Sequence, residues 1–211
     1  MTPLTTAFER ATGLPVQRPE WADKKTFISS ALQANRPEVL LSLHDEFEPL
    51  KAVWQKLERE GDATAFQSYT WLSTWQRHIG TVQRIKPAII VGWDRGGGAL
   101  FILPFGVERG VMLNRLVWLG EGLCDYHAPL LSKEFSRHVN PAQFAGLWND
   151  IAQLLPAHQM VPLGRMPERI GDQANPLMAL GAMRRNPSSA HLTRLNKDWD
   201  AYYSAKRSAG T

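Results

Sequence analysis

The sequence contains a single cysteine, Cys124, among 211 residues. One cysteine cannot form a disulfide within the chain, which excludes the class of small secreted proteins that depend on disulfides for stability. The sequence also lacks an apolar stretch of the roughly 18–20 residues that a transmembrane helix needs. The first part of the chain has several charged side chains and lacks the apolar centre of a secretory signal. These absences predict a cytoplasmic protein.

Metal-ligand and phosphate-binding motifs are also missing. The six histidines show no HxxxH or HxxE spacing, and one cysteine cannot make a CxxC pair. Zinc sites usually combine such closely spaced ligands, so we expect no metal site. The glycine run at 96–98 leads into a predicted strand, whereas a phosphate-binding loop leads into a helix. We therefore interpret this run as the turn of a β-hairpin.

A net excess of positive charge is found only near the C-terminus. The formal net charge is +4, and residues 184–211 hold six basic and two acidic residues, an excess that equals the charge of the whole chain. The remaining residues are balanced. A nucleic-acid-binding protein usually spreads lysine and arginine over one face. The charge distribution therefore predicts that nucleic acid is not the partner.

Apolar residues at helical spacing are abundant and predict three main helices. Leu50, Val53, Trp54 and Leu57 recur at i, i+3, i+4 and i+7, and Gly61 follows as a stop signal. A second helix is predicted over 70–78. An Asn-Pro pair at 140–141 marks the start of the third, because asparagine caps a helix and proline suits its first position. The spacing of the tryptophans on these helices is that of a buried stripe.

Between and after the helices the pattern changes to short apolar runs typical of strands. The runs are 39–43, 88–93, 99–105, 111–119, 128–131, 160–163 and 188–195, and a last helix is predicted from 198. This order predicts an α+β fold, a mixed and largely antiparallel sheet flanked by helices. We expect one domain over 38–195, preceded by an irregular arm over 1–37.

The loop around Cys124 holds the densest set of chemically active side chains. Cys124, Asp125, Tyr126 and His127 follow a predicted strand in succession. A Cys–His nucleophile pair normally joins residues distant in sequence, which argues against a thiol protease. A structural interpretation stands beside the functional one: Asp125 would cap backbone amides and Tyr126 would half-bury its ring.

A series of short blocks adds a family resemblance. In chain order they are FQSYTWLSTW at 66–75, ILP at 102–104, LVWLG at 116–120, DY at 125–126 with PL at 129–130, MP at 166–167, NP at 175–176, and Trp199 with 202–207. Together they resemble the N-terminal half of the CelD/BcsL-like acetyltransferases of the GNAT superfamily. The resemblance covers about 38–207.

The resemblance implies a GNAT-like acyltransferase half that works with a second GNAT-like half. The implied activity is transfer of an acetyl group from acetyl-CoA to an amine or hydroxyl acceptor. The acceptor would be a small molecule or a saccharide, and the family name points to polysaccharide biosynthesis. Residues 196–211 would then begin a basic connecting helix, and the second half would be missing from this chain.

The resemblance also assigns candidate site residues. Asp125 and Tyr126 match the Asp-Tyr block and are expected to be catalytic, Asp125 by orienting or deprotonating the acceptor and Tyr126 by stacking on it or hydrogen-bonding to it. Glu121, His127 and Trp118 flank this block and are expected to bind substrate.

The acetyl-CoA site itself is the main departure from the family pattern. The GNAT pyrophosphate loop is similar to Arg/Gln-x-x-Gly-x-Gly/Ala, and the nearest segment, RHIGTV at 77–82, ends in valine. It also lies at a predicted helix end, where the helix dipole does not favour phosphate. We therefore expect no acetyl-CoA site in this chain and a catalytically incomplete protein. The alternative is a non-catalytic module that binds a substrate or a partner.

Overall fold

The computed structural model describes five parts of the chain, namely residues 27–29, 37–181, 183–184, 186 and 198–208. The late strand predicted over 188–195 lies outside these residues, as does most of the predicted arm. Within the arm, residues 27–29 form a strand.

The described strands are short and pair in antiparallel fashion. They are β1 Phe27–Ser29, β2 Leu40–His44, β3 Ile85–Pro87, β4 Ile89–Trp93, β5 Ala99–Leu103, β6 Phe105–Arg109, β7 Asn114–Trp118, β8 Leu130–Leu131, β9 Arg169–Ile170 and β10 Gln173–Ala174. The α-helices are α1 Lys51–Glu60, α2 Tyr69–Trp75, α3 Phe135–His138, α4 Pro141–Leu154 and α5 Trp199–Ser208.

These strands build a five-stranded sheet in the order β1-β2-β4-β5-β8, a three-stranded sheet in the order β3-β6-β7, and the hairpin β9-β10. Each face of the five-stranded sheet packs on its own apolar cluster. One cluster joins the sheet to α4, and the other joins it to α1 and α2. The protein is therefore an α+β fold of antiparallel sheets flanked by helices, which confirms the predicted fold class.

Local signals explain where the main helices begin and end. Helix α1 buries Trp54 and Leu57 on one face, and the Gly61 N–H donates to the Leu57 carbonyl at its C-terminus. In α4, Asn140 and Gln143 form a capping box in which each side chain accepts from the other residue's backbone N–H. Helix α2 is prolonged by a π-helical turn, Gln76–Gly80. The three predicted helices are confirmed.

One predicted strand is divided by proline, and a second proline separates two neighbouring strands. The strand predicted over 99–105 breaks at Pro104, so that β5 belongs to the five-stranded sheet and β6 to the three-stranded one. Pro87 ends β3 in the same way, just before β4. Proline has no N–H to continue a ladder, and the chain changes sheets at both positions. The two sheets thus share two nearly continuous strands.

Two other strand predictions were wrong in extent. Residues 111–113 form an exposed turn, and β7 begins only at Asn114. The strand predicted over 160–163 is reduced to one bridge, in which Leu116 N–H donates to the Met160 carbonyl at 2.8 Å. Most apolar residues in these segments face outward instead of pairing, although Leu163 packs against the core.

Candidate functional site

The loop that joins β7 to β8 carries most of the predicted site residues. Gly120 and Gly122 both have left-handed backbone conformations, with φ of +88° and +89°. The N–H groups of Leu123 and Cys124 both donate to the Gly120 carbonyl at 3.2 Å. Glycine adopts such dihedrals without a steric penalty, so the sequence itself sets the sharp start of this loop.

The first contact that holds the loop is made by Cys124. Its side chain is fully buried, and its sulfur accepts a hydrogen bond from Trp71 Nε1 at 3.1 Å. Burial raises the pKa of the Cys124 thiol, although the Trp71 hydrogen bond opposes part of this effect. A buried, protonated thiol is a poor nucleophile. Cys124 therefore anchors the loop against α2.

The second contact is made by Tyr126. Its ring is half-buried and lies 6.2 Å from the Phe66 ring, centroid to centroid, and its carbonyl accepts from Gln67 Nε2 at 3.0 Å. Asp125, between these two anchors, is exposed. Residues 66–71 thus hold residues 124–126, so that two blocks distant in sequence form one unit.

His127 and Trp118 lie in the interior. Their rings are nearly parallel, with centroids 6.1 Å apart. The backbone N–H of His127 donates to the Arg165 carbonyl at 3.0 Å. Burial, helped by the nearby Arg165 cation, lowers the pKa of His127 to about 4. His127 is therefore a neutral packing residue at neutral pH, and little of its surface is open to a ligand.

Glu121 reaches a different environment, an open cleft of about 370 Å³ on the three-stranded sheet. Arg115 lies between two carboxylates there, 2.7 Å from Glu108 and 3.5 Å from Glu121. Glu108 and Arg115 are directly opposite each other on β6 and β7. The cleft is lined by Gln83, Ile85, Glu108, Arg115, Glu121 and Gly122.

Burial and the neighbouring charges both act on the pKa of Glu121. Partial burial raises the pKa of the Glu121 carboxyl, Arg115 opposes this shift, and the Glu108 carboxylate adds to it. A carboxylate whose pKa is raised above its ordinary value is a stronger base than an ordinary surface carboxylate. Arg165 also acts to lower this pKa, so that two arginine cations act on Glu121 beside the Glu108 carboxylate.

The structure thus separates the predicted site residues. Glu121 lines the cleft, while Asp125 and Tyr126 are on the same loop but are not among the cleft-lining residues. Sequence reasoning missed Glu108 and Arg115. The sequence does contain a signal for them, because the two residues have opposite charges and lie at equal distances from the 110–113 turn. This arrangement predicts a cross-strand pair once β6 and β7 are known to form a hairpin.

Within the described residues, no group of three histidine, cysteine, aspartate or glutamate side chains is arranged to hold a metal ion. None of the described helices has the length and apolar character that crossing a bilayer requires. Comparisons of the chain with protein-family models, with curated proteins and with solved structures found no match.

Proposed function

We propose that this chain supplies the acceptor-binding side of a GNAT-type acyltransferase, which transfers an acetyl group from acetyl-CoA to an amine or hydroxyl acceptor. The observation that carries the proposal is the open cleft in which Glu121, with its raised pKa, lies beside Arg115 and Glu108. The sequence resemblance suggests an acceptor from polysaccharide biosynthesis, and an amino sugar is the simplest member of that class.

Acyl transfer requires the acceptor to lose a proton as it attacks the thioester. Glu121 is the proton acceptor in this proposal. The carboxylates of the cleft attract the acceptor in its ammonium form, and Glu121 then removes a proton to give the nucleophilic amine. The amine attacks the thioester carbonyl, the carbon–sulfur bond breaks, and CoA leaves as a thiolate that takes up the second proton lost by the nitrogen. Arg115 holds both carboxylates in position through its two ion pairs.

A second line of support comes from the loop contacts. Two of the blocks that carry the family resemblance, 66–75 and 125–126, are in direct contact through the Phe66–Tyr126 ring pair and the Gln67–Tyr126 hydrogen bond. These contacts fix the loop that bears Glu121. Asp125 is exposed on this loop and is available to a second half or to an acceptor that extends beyond the cleft.

The acetyl-CoA molecule would be bound mainly by the second half. The segment nearest to a pyrophosphate loop, 77–82, overlaps the π-helical turn Gln76–Gly80 at a helix C-terminus. Between residues 37 and 181, none of the helices begins at a glycine-rich loop. Phosphate groups prefer helix N-termini, so this chain is catalytically incomplete in the proposal. The same observation favours the second candidate, a module that binds the acceptor without catalysis.

The acceptor role is tested by calorimetric titration of the chain with glucosamine, with N-acetylglucosamine as the acetylated counterpart. We expect glucosamine to bind and N-acetylglucosamine, which has no charged amine, to bind at least about tenfold more weakly. Binding should strengthen as the pH rises through the pKa of Glu121, because only the carboxylate attracts the ammonium group. Glu121→Gln should abolish this preference.

The matched control is Glu134→Gln, which removes a carboxylate that is paired with Arg137 outside the cleft. Equal loss of glucosamine binding in both variants would contradict the cleft assignment. Titration with acetyl-CoA tests the donor site: both candidates expect no binding by this chain alone, whereas binding would place an acetyl-CoA site in this chain and exclude the non-catalytic module. A folded chain that binds neither ligand contradicts both.

A further inference from the structure

One end of the three-stranded sheet exposes aliphatic side chains to an unusual degree. The turn between β6 and β7 presents Val111, Met112 and Leu113, which we call the apolar tip. Val111 is 102% exposed and Met112 is 88% exposed, so these side chains touch almost nothing. Exposed aliphatic groups that cluster in this way mark an interaction site more often than isolated ones do.

Neighbouring segments extend this apolar surface. The Arg109 N–H donates to the Arg84 carbonyl at 3.3 Å, which places the turn containing Val82 beside the tip. On the other side, the Asn114 carbonyl accepts from the N–H groups of Gln159 and Met160 at 2.9 and 3.3 Å. Three chain segments thus end side by side, and their exposed apolar residues are Val82, Val111, Met112, Leu113, Met160 and Val161.

The charge at this end is positive. Arg84, which directly precedes β3, lies next to Arg109 at the end of β6, and both are exposed. Neither forms an ion pair with another described residue. The nearest carboxylate along β6, that of Glu108, is already paired with Arg115. Two guanidinium groups that have no ion-pair partner among the described residues therefore flank the apolar tip.

We propose that this end of the sheet docks on an anionic lipid surface, with the apolar tip inserted between head groups and Arg84 and Arg109 bound to lipid phosphates. Aliphatic side chains bordered by arginine are the combination that binds the interface of an anionic bilayer. A projecting tip suits a soft lipid surface, since nearly all of its area is available for insertion. This inference is independent of the proposed acyl transfer.

The test is co-sedimentation with vesicles of mixed phosphatidylcholine and phosphatidylglycerol, compared with phosphatidylcholine alone. We expect binding only to the mixed vesicles. The double variant Arg84→Gln with Arg109→Gln should weaken vesicle binding by about 25-fold, because each lost charge weakens it by about fivefold. Val111→Ser with Met112→Ser should weaken it by more than about tenfold. All these positions are exposed, so circular dichroism and thermal unfolding should show that the variants fold normally.

The matched control is Trp199→Ser with Tyr203→Ser, because these residues are 63% and 50% exposed on α5, which also carries Lys206 and Arg207. A loss of binding in this control, with none in the tip variant, would assign the vesicle contact to α5 and overturn the proposal. Equal binding to both kinds of vesicle would also overturn it.

Insertion is measured directly with a polarity-sensitive fluorophore attached to Met112→Cys. The natural Cys124 is fully buried, so the label reacts with the introduced thiol. The emission should shift to the blue when mixed vesicles are added, whereas the same label on Ala52→Cys, exposed on α1, should not respond. A label at position 112 that responds to protein concentration and not to vesicles would indicate a contact between two copies of the chain and refute lipid docking.

Discussion

The buried histidine beside Trp118 makes the stability of this protein depend on pH in a defined range. His127 is 4% exposed, and burial lowers its pKa from the ordinary 6.5 to about 4. The unfolded chain therefore takes up a proton at higher pH than the folded one. Stability contributed by the neutral imidazole is complete above pH 6.5, is lost progressively as the pH falls from 6.5 to about 4, and does not change further below that.

The size of the effect follows from the difference between the two pKa values. Each pH unit between them changes the free energy of unfolding by about 1.4 kcal/mol. At pH 5 the protein should have lost about 2 kcal/mol of the stability that it has at neutral pH through this group alone. Below pH 4 the loss should level off near about 3 kcal/mol, a large share of the stability of an ordinary domain.

The assay is urea unfolding at a series of pH values for the natural protein and for His127→Phe, which keeps an aromatic ring beside Trp118 but cannot titrate. The difference in pH dependence between the natural protein and the variant is the contribution of His127. The control is His78→Phe, because His78 is exposed. The imidazole titration followed by NMR in the natural protein tests the same idea without a variant. A folded-state midpoint near 6.5 would refute the reasoning.

Two further predictions concern stability. Gly120→Ala places a methyl group 2.5 Å from Cys124 Sγ at a φ of +88°, whereas Gly122→Ala has the same backbone strain with open space around it. Urea unfolding should therefore show a loss of about 1–2 kcal/mol for Gly122→Ala and about 1–3 kcal/mol more for Gly120→Ala, and equal losses would contradict the predicted clash. Asp62 is 6% exposed and joins Lys133 to Gln173, whose Nε2 donates to it at 2.9 Å. Asp62→Ala should cost about 1–3 kcal/mol, while Glu134→Ala, which breaks an exposed pair, should cost less than about 1 kcal/mol, and a reversed order in the same assay would show that burial is not the cause.

The elements that the sequence predicted well are those with local causes. Helix α1 follows from the spacing of Leu50, Trp54 and Leu57, and α4 begins where Asn140 caps it. The glycine run at 96–98 turns the β4-β5 hairpin as expected. Each of these features depends on side chains within a few positions of one another, so a linear pattern contains the necessary information.

The candidate site, by contrast, depends on contacts between segments that are distant in sequence. Glu121 was expected to bind substrate from its place in the loop, but its partners in the cleft come from β6 and β7. Nor does any local pattern show that Trp71 supports Cys124 across more than fifty positions. Contacts of this kind depend on how the sheets and helices pack, and the raised pKa of Glu121 follows from that packing.

By itself, the sequence determined the fold class, the Asn140 cap and the Gly61 stop, because these depend on periodicity and on neighbouring residues. Only the tertiary structure decided that Pro87 and Pro104 pass strands between two sheets, and that 111–113 projects as an apolar tip. It also decided that Glu108, Arg115 and Glu121 share one cleft. The physical reason is that burial and charge proximity are properties of the packed chain, set by segments distant in sequence.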